Sequence, residues 1–141
     1  GGPVSLVVPV AGKKNTFIAT RGIDIIEVTW DPKSDNSKPE FRILSTINED
    51  RNKTKFNDGK IDPAGCLWAG TMSRTNPNGN IIDNVGSLYR FDADGTANVM
   101  IQPVSVSNGL CWSNDNRTFY YNDSPKRKVT AYDYDISTGN I

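Results

Sequence analysis

Two stretches of this chain, separated by about 50 residues, are built to the same plan. The first runs Asn57-Asp58-Gly59-Lys60-Ile61, then Asp62-Pro63-Ala64-Gly65, then Leu67-Trp68-Ala69-Gly70-Thr71-Met72. The second runs Ser107-Asn108-Gly109-Leu110-Cys111-Trp112, then Ser113-Asn114-Asp115-Asn116, then Thr118-Phe119-Tyr120-Tyr121. In each, an amide or carboxylate precedes a glycine and a short apolar run; a turn and an aromatic strand follow. Leu88 to Asp92 falls after the first head much as Val129 to Asp133 falls after the second. Repeats of roughly 40 to 50 residues, each with several short strands, are the signature of propeller blades.

The remaining segments agree. Val4–Val10, Thr16–Thr20, Asp24–Trp30 and Phe41–Ile47 read as four strands, with a polar loop over residues 31–39. Residues 48–55 are charged and turn-like, and a long polar loop covers 74–84. Gly86–Phe91 and Ala97–Ile101 are strands around the turn Asp92-Ala93-Asp94-Gly95. No window carries an apolar period of 3.6 residues. The expected fold is all-β: a β-propeller of antiparallel four-stranded blades, read as a single partial domain over residues 1–141. At about 50 residues per unit the chain holds no more than about three blades. A ring needs roughly four to eight to close, so the remaining blades are expected from a second polypeptide or a further segment.

Sixteen basic residues balance sixteen acidic ones. That excludes the electrostatic footprint of a nucleic-acid or anionic-membrane binder, and Lys126-Arg127-Lys128 after Pro125 reads as a solvated turn. No apolar stretch approaches the ~20 residues of a membrane span. Cys66 and Cys111 stand at different offsets in the two repeats, in apolar surroundings; they are expected to be buried free thiols in a reducing, cytoplasmic compartment. The absence of histidine removes His-based triads, zinc sites and general bases. Asp92-Ala93-Asp94-Gly95 is no calcium loop, because an EF-hand has its glycine at the sixth loop position and a glutamate at the twelfth.

Asn57-Asp58-Gly59 and Asn108-Gly109 admit two readings. Asn-Gly and Asp-Gly pairs make tight turns. Alternatively, both heads open the innermost strand of a blade and carry polar groups toward the central channel. An asparagine carbonyl oxygen there is a hard, neutral ligand for a divalent cation.

Several segments resemble the senescence marker protein, gluconolactonase and luciferin-regenerating enzyme family: Lys55-Phe56-Asn57-Asp58-Gly59-Lys60-Ile61-Asp62-Pro63-Ala64-Gly65, Trp68-Ala69-Gly70-Thr71-Met72, Gly86-Ser87-Leu88-Tyr89, Ser107-Asn108-Gly109-Leu110 with Trp112-Ser113, and Asp133-Tyr134-Asp135 with Thr138-Gly139. The resemblance runs through essentially the whole chain. It implies a six-bladed propeller with one divalent cation in the channel, calcium first and zinc, magnesium or manganese as alternatives. It also implies hydrolysis of small lactones such as gluconolactone. Of the cation's three implied protein ligands (a glutamate, an asparagine and an aspartate), the asparagine corresponds to Asn108. The implied substrate contacts fall on Asn57, on Lys55 where the family has arginine, and on Thr75, or Ser73 if the loop shifts, where it has an acidic residue. Lys55 keeps the charge without the planar fork of a guanidinium, and Thr75 drops a carboxylate. The catalytic base implied by the family corresponds to no residue of this chain. Two further roles stand beside the lactonase: a non-catalytic calcium-binding regulatory protein, and a luciferin-regenerating type of enzyme. Whether the chain is an enzyme is left open by these departures.

Overall fold

The computed structural model describes residues 2–34 and 36–141; Asp35, in the expected 31–39 loop, and Gly1 lie outside them. Three antiparallel sheets follow one another along the chain. The first holds β1 (Val4–Pro9), β2 (Thr16–Arg21), β3 (Asp24–Thr29) and β4 (Glu40–Thr46) in that order. The second holds β5 (Thr54–Ile61), β6 (Leu67–Ser73), β7 (Gly86–Phe91) and β8 (Ala97–Val104). The third holds β9 (Ser107–Trp112), β10 (Thr118–Asp123) and β11 (Val129–Asp133). These are three blades of a β-propeller, two with four strands and one with three among the described residues. The edge strands β1, β5 and β9 lie side by side and are the innermost strands. The described residues hold no α-helix, and a single 3-10 turn at Ser124–Lys126 carries the exposed basic cluster. Among the described residues no helix is long and apolar enough to cross a membrane.

β6 shows why blades stack. It reads Leu-Trp-Ala-Gly-Thr-Met-Ser and is buried on both faces. With a side-chain period of two, Leu67 and Ala69 join Ile23, Ile25, Ile47, Phe56 and Phe91 in a core between the first and second blades. Trp68 points the other way, into a core with Leu88, Val104, Leu110, Phe119, Tyr121 and Tyr134 between the second and third. The Trp68 ring meets Phe119 at 5.0 Å and Trp112 at 5.7 Å, within the range of favourable aromatic pairs.

Two expectations are corrected. Cys111 is exposed and Cys66 only partly buried, though both are free. Alternation along β9 turns Leu110 and Trp112 into the core and Cys111 outward, while Cys66 sits in the turn before β6. Burial, with Asp62 and Asp92 nearby, holds the Cys66 thiol above its ordinary range. The second correction concerns residues 54–61, where the strand begins inside the expected turn and Asn57-Asp58-Gly59 lies within it.

Burial pushes the phenols of Tyr89, Tyr121 and Tyr134 well above the ordinary value of 10.0, and carboxylate acceptors add to this at Tyr89 (Glu49) and Tyr134 (Asp62). Their folded pKa values exceed the unfolded ones, so their contribution to stability is complete below pH 10 and is lost as pH rises beyond it. Urea midpoints should therefore fall steeply above about pH 10, and less so in Tyr134→Phe. Full ionisation of all five tyrosines at their ordinary value with the fold intact would contradict this.

Candidate functional site

Both glycine-containing heads are strands broken by a bulge. The β5–β6 register slips between Phe56 and Gly59, and the β9–β10 register slips between Tyr121 and Asn122, opposite Gly109. Gly109 has φ +61°, a left-handed conformation that glycine adopts without penalty. A bulge re-aims side chains. In β5 the effect is that two successive residues, Asn57 and Asp58, both reach toward β9, where a regular strand would send one of them to the opposite face.

The contacts are short. The Asn57 Nδ2 amide donates to the Ser107 carbonyl at 2.8 Å. The Gly109 N–H donates to Asp58 Oδ2 at 2.7 Å, and the Gly59 N–H to Asp58 Oδ1 at 2.8 Å. Asn108 thus lies between two backbone groups held by the second blade. Its own Nδ2 donates to Ser124 Oγ at 3.3 Å, its Oδ1 has no protein partner among the described residues, and the residue is exposed. Ser107 Oγ and the Tyr121 hydroxyl are buried nearby without hydrogen bonds.

The structure brings Asn57 and Asn108 together through Ser107. Lys55 precedes Asn57 by two residues on β5, opposite Met72; it is half-buried and has no hydrogen bond or ion pair among the described contacts. Thr75 is exposed at the start of the 74–85 loop, beyond the point where the Arg74 N–H meets the Lys53 carbonyl at 2.7 Å. Ser73, the alternative, is fully buried, and its Oγ accepts from the Ile82 N–H at 2.7 Å. Among the described residues no three His, Cys, Asp or Glu side chains are grouped to hold a metal ion. A cleft of about 590 Å³ between the first two blades, lined by Ile25, Leu44, Ile61, Cys66, Leu67 and Phe91, is made by other residues.

Sequence reasoning singled out the amides and passed over Asp58, whose carboxylate ties the two heads together. The signal was present in the Asp-Gly pair, which reads as a turn until its strand partners are known. The family described as SMP-30/Gluconolactonase/LRE-like region matches residues 1–141. This chain belongs to that family. Regucalcin from Sus scrofa is 38% identical over 125 residues, covering 89% of this chain and 40% of that protein. Regucalcin from Oryctolagus cuniculus is 43% identical over 129 residues, covering 92% and 41%. A solved luciferin-regenerating enzyme superimposes over 100% of this chain and 45% of its own length, with a TM-score of 0.89 and 35% identity. A calcium-binding protein, regucalcin, from Agrobacterium tumefaciens, 22% identical with a TM-score of 0.78, shares the fold. The chain spans about two-fifths of the length of the curated relatives it matches.

Proposed function

We propose that these blades contribute to a metal-dependent hydrolase of small lactones, with a divalent cation, calcium first, bound at Asn108 in the propeller channel. The observation that carries this reading is the Asn108 carboxamide oxygen, left without a protein partner beside two braced backbone groups. A neutral, hard oxygen in that position suits calcium or magnesium. When bound, the cation would polarise the lactone carbonyl and lower the pKa of a water. Asn57, with its Nδ2 committed to Ser107, keeps Oδ1 to accept a substrate hydroxyl. Lys55 supplies a positive charge two residues away, and Thr75 a hydroxyl at the neighbouring loop. No general base is assigned among these residues. The neutral charge balance and the free cysteines support a cytoplasmic protein that acts on a small molecule. The remaining blades are proposed as its structural partner.

A second reading is a calcium-binding protein without catalysis. It is favoured by Lys55 and Thr75, which stand where the family resemblance implies an arginine and an acid.

The test uses the full-length protein. Asn108→Ala should weaken calcium binding, followed by calorimetry, by about tenfold or more; unchanged affinity would remove the cation from Asn108. Turnover of gluconolactone that depends on added cation supports the hydrolase. Cation binding without turnover supports the second reading.

A further inference from the structure

We infer that Asp58 is a positioning residue for Asn108: its carboxylate sets the cation-binding geometry from the neighbouring blade without touching the cation itself. The inference rests on the proposed cation at Asn108. Each oxygen of Asp58 has one backbone partner. Oδ1 accepts from Gly59 and closes the bulge in β5; Oδ2 accepts from Gly109 and closes the bulge in β9. A charged acceptor makes these bonds stronger than neutral ones, and the Gly109 bond, at 2.7 Å, is the shorter of the two.

The geometry explains why the acceptor must be there. β9 pairs regularly with β10 from Trp112 to Leu110, then slips so that Asn108 faces Asn122. The extra residue is Gly109, whose N–H points away from β10 and would be unpaired without Asp58. Its left-handed φ sets the orientation of Asn108, the residue before it in β9. Asn57 secures the other flank through the Ser107 carbonyl. The ligand is thus gripped at residues 107 and 109 by consecutive side chains of another blade. Partners that orient a metal ligand from outside the coordination shell commonly change metal affinity by about 10- to 100-fold.

The experiment compares Asp58→Ala, Asp58→Asn and Asn108→Ala in the full-length protein, with calcium affinity by calorimetry and exchange of the Gly109 amide proton in calcium-free protein. Asp58→Ala should lose about tenfold in affinity and speed exchange at Gly109. Asp58→Asn should keep most of the affinity and the protection, because an amide oxygen still accepts the Gly109 N–H. A purely structural role would lower the melting temperature of both variants without this rescue. If Asp58→Ala does not fold, Gly109→Ala substitutes for it. A Cβ there meets nothing closer than the Asn122 Cβ at 3.4 Å, so the cost is confined to the left-handed φ of +61°, and calcium binding should weaken with every proposed ligand intact. Wild-type affinity in Asp58→Ala, or equal losses in Asp58→Ala and Asp58→Asn, overturns the inference. Unchanged affinity in Asn108→Ala instead overturns the proposed cation site on which it rests.

Discussion

Asp62→Ala should destabilise the protein by about 3–5 kcal/mol, a loss of the size expected for truncating a large apolar side chain of the core. Asp62 is 5% exposed and spends both carboxylate oxygens. Oδ1 accepts from the Ala64 and Cys66 amides at 2.9 and 2.8 Å, which closes the turn between β5 and β6. Oδ2 accepts from the Trp68 indole N–H at 2.9 Å and from the Tyr134 hydroxyl, also at 2.9 Å. The first pair is local. The second joins the second blade to the segment that follows β11 in the third, across 72 residues of sequence. Removing the carboxylate orphans the buried Trp68 indole N–H and Tyr134 phenol, at about 1–3 kcal/mol each, and takes the acceptor from two part-buried turn amides that water can reach only in part. Tyr134→Phe removes one donor and leaves Asp62 otherwise satisfied, so it should cost about 1 kcal/mol. Asp62→Asn should fall between, because its amide keeps one acceptor and turns a donor toward other donors. Denaturant midpoints with unchanged slope provide the check. Equal losses for Asp62→Ala and Tyr134→Phe would show that the inter-blade bond alone matters and that the turn does not need the carboxylate.

Asp62 also marks how far the sequence could be read. Asp62-Pro63-Ala64-Gly65 announces a turn by its residue types, and the turn is where it was expected. The bond from Asp62 to Tyr134 could not be foreseen, because nothing in local pattern links residues so far apart. The same division holds throughout. β2, β3, β6, β7 and β10 were legible from β-branched and aromatic runs bounded by turn residues. The heads were harder. Asn-Asp-Gly has low strand propensity, yet it lies within β5 because the bulge tolerates it there and because Asp58 finds its partner on β9. Propensity is local, and a bulge paired with another bulge is a tertiary event. The cysteines failed for a related reason. An apolar neighbourhood in sequence does not say which face of the strand a residue takes, and Cys111 takes the outer one. The family resemblance pointed to Asn57 and Asn108. Only the fold revealed that Ser107, between them in space, is the point of contact.

Gly70→Ala should destabilise the protein by about 1–3 kcal/mol or more, and its effect should reach the candidate site. Gly70 is buried in β6 on the face that carries Trp68. A Cβ built there would run into the Oγ and Cβ of Ser107, with Leu88 Cδ1 at 3.3 Å on the other side. Ser107 is itself fully buried, its carbonyl is held by Asn57, and the next residue is Asn108. Neither strand can absorb a methyl group by a change of rotamer, since the Ser107 Cβ is fixed by its backbone. β9 must therefore move away from β6. Overpacking of this kind costs about 1–3 kcal/mol or more. The displacement would also stretch the Asn57–Ser107 and Asp58–Gly109 bonds, so calcium affinity should fall together with stability. A double-mutant cycle with Ser107→Gly separates the two effects. Removing the Ser107 side chain takes away both atoms that the new methyl would strike, so Gly70→Ala should cost far less in the Ser107→Gly background than in the wild-type protein. Equal costs in the two backgrounds would mean that the clash is relieved elsewhere in β6, and that the close approach of β6 to β9 does not set the position of Asn108.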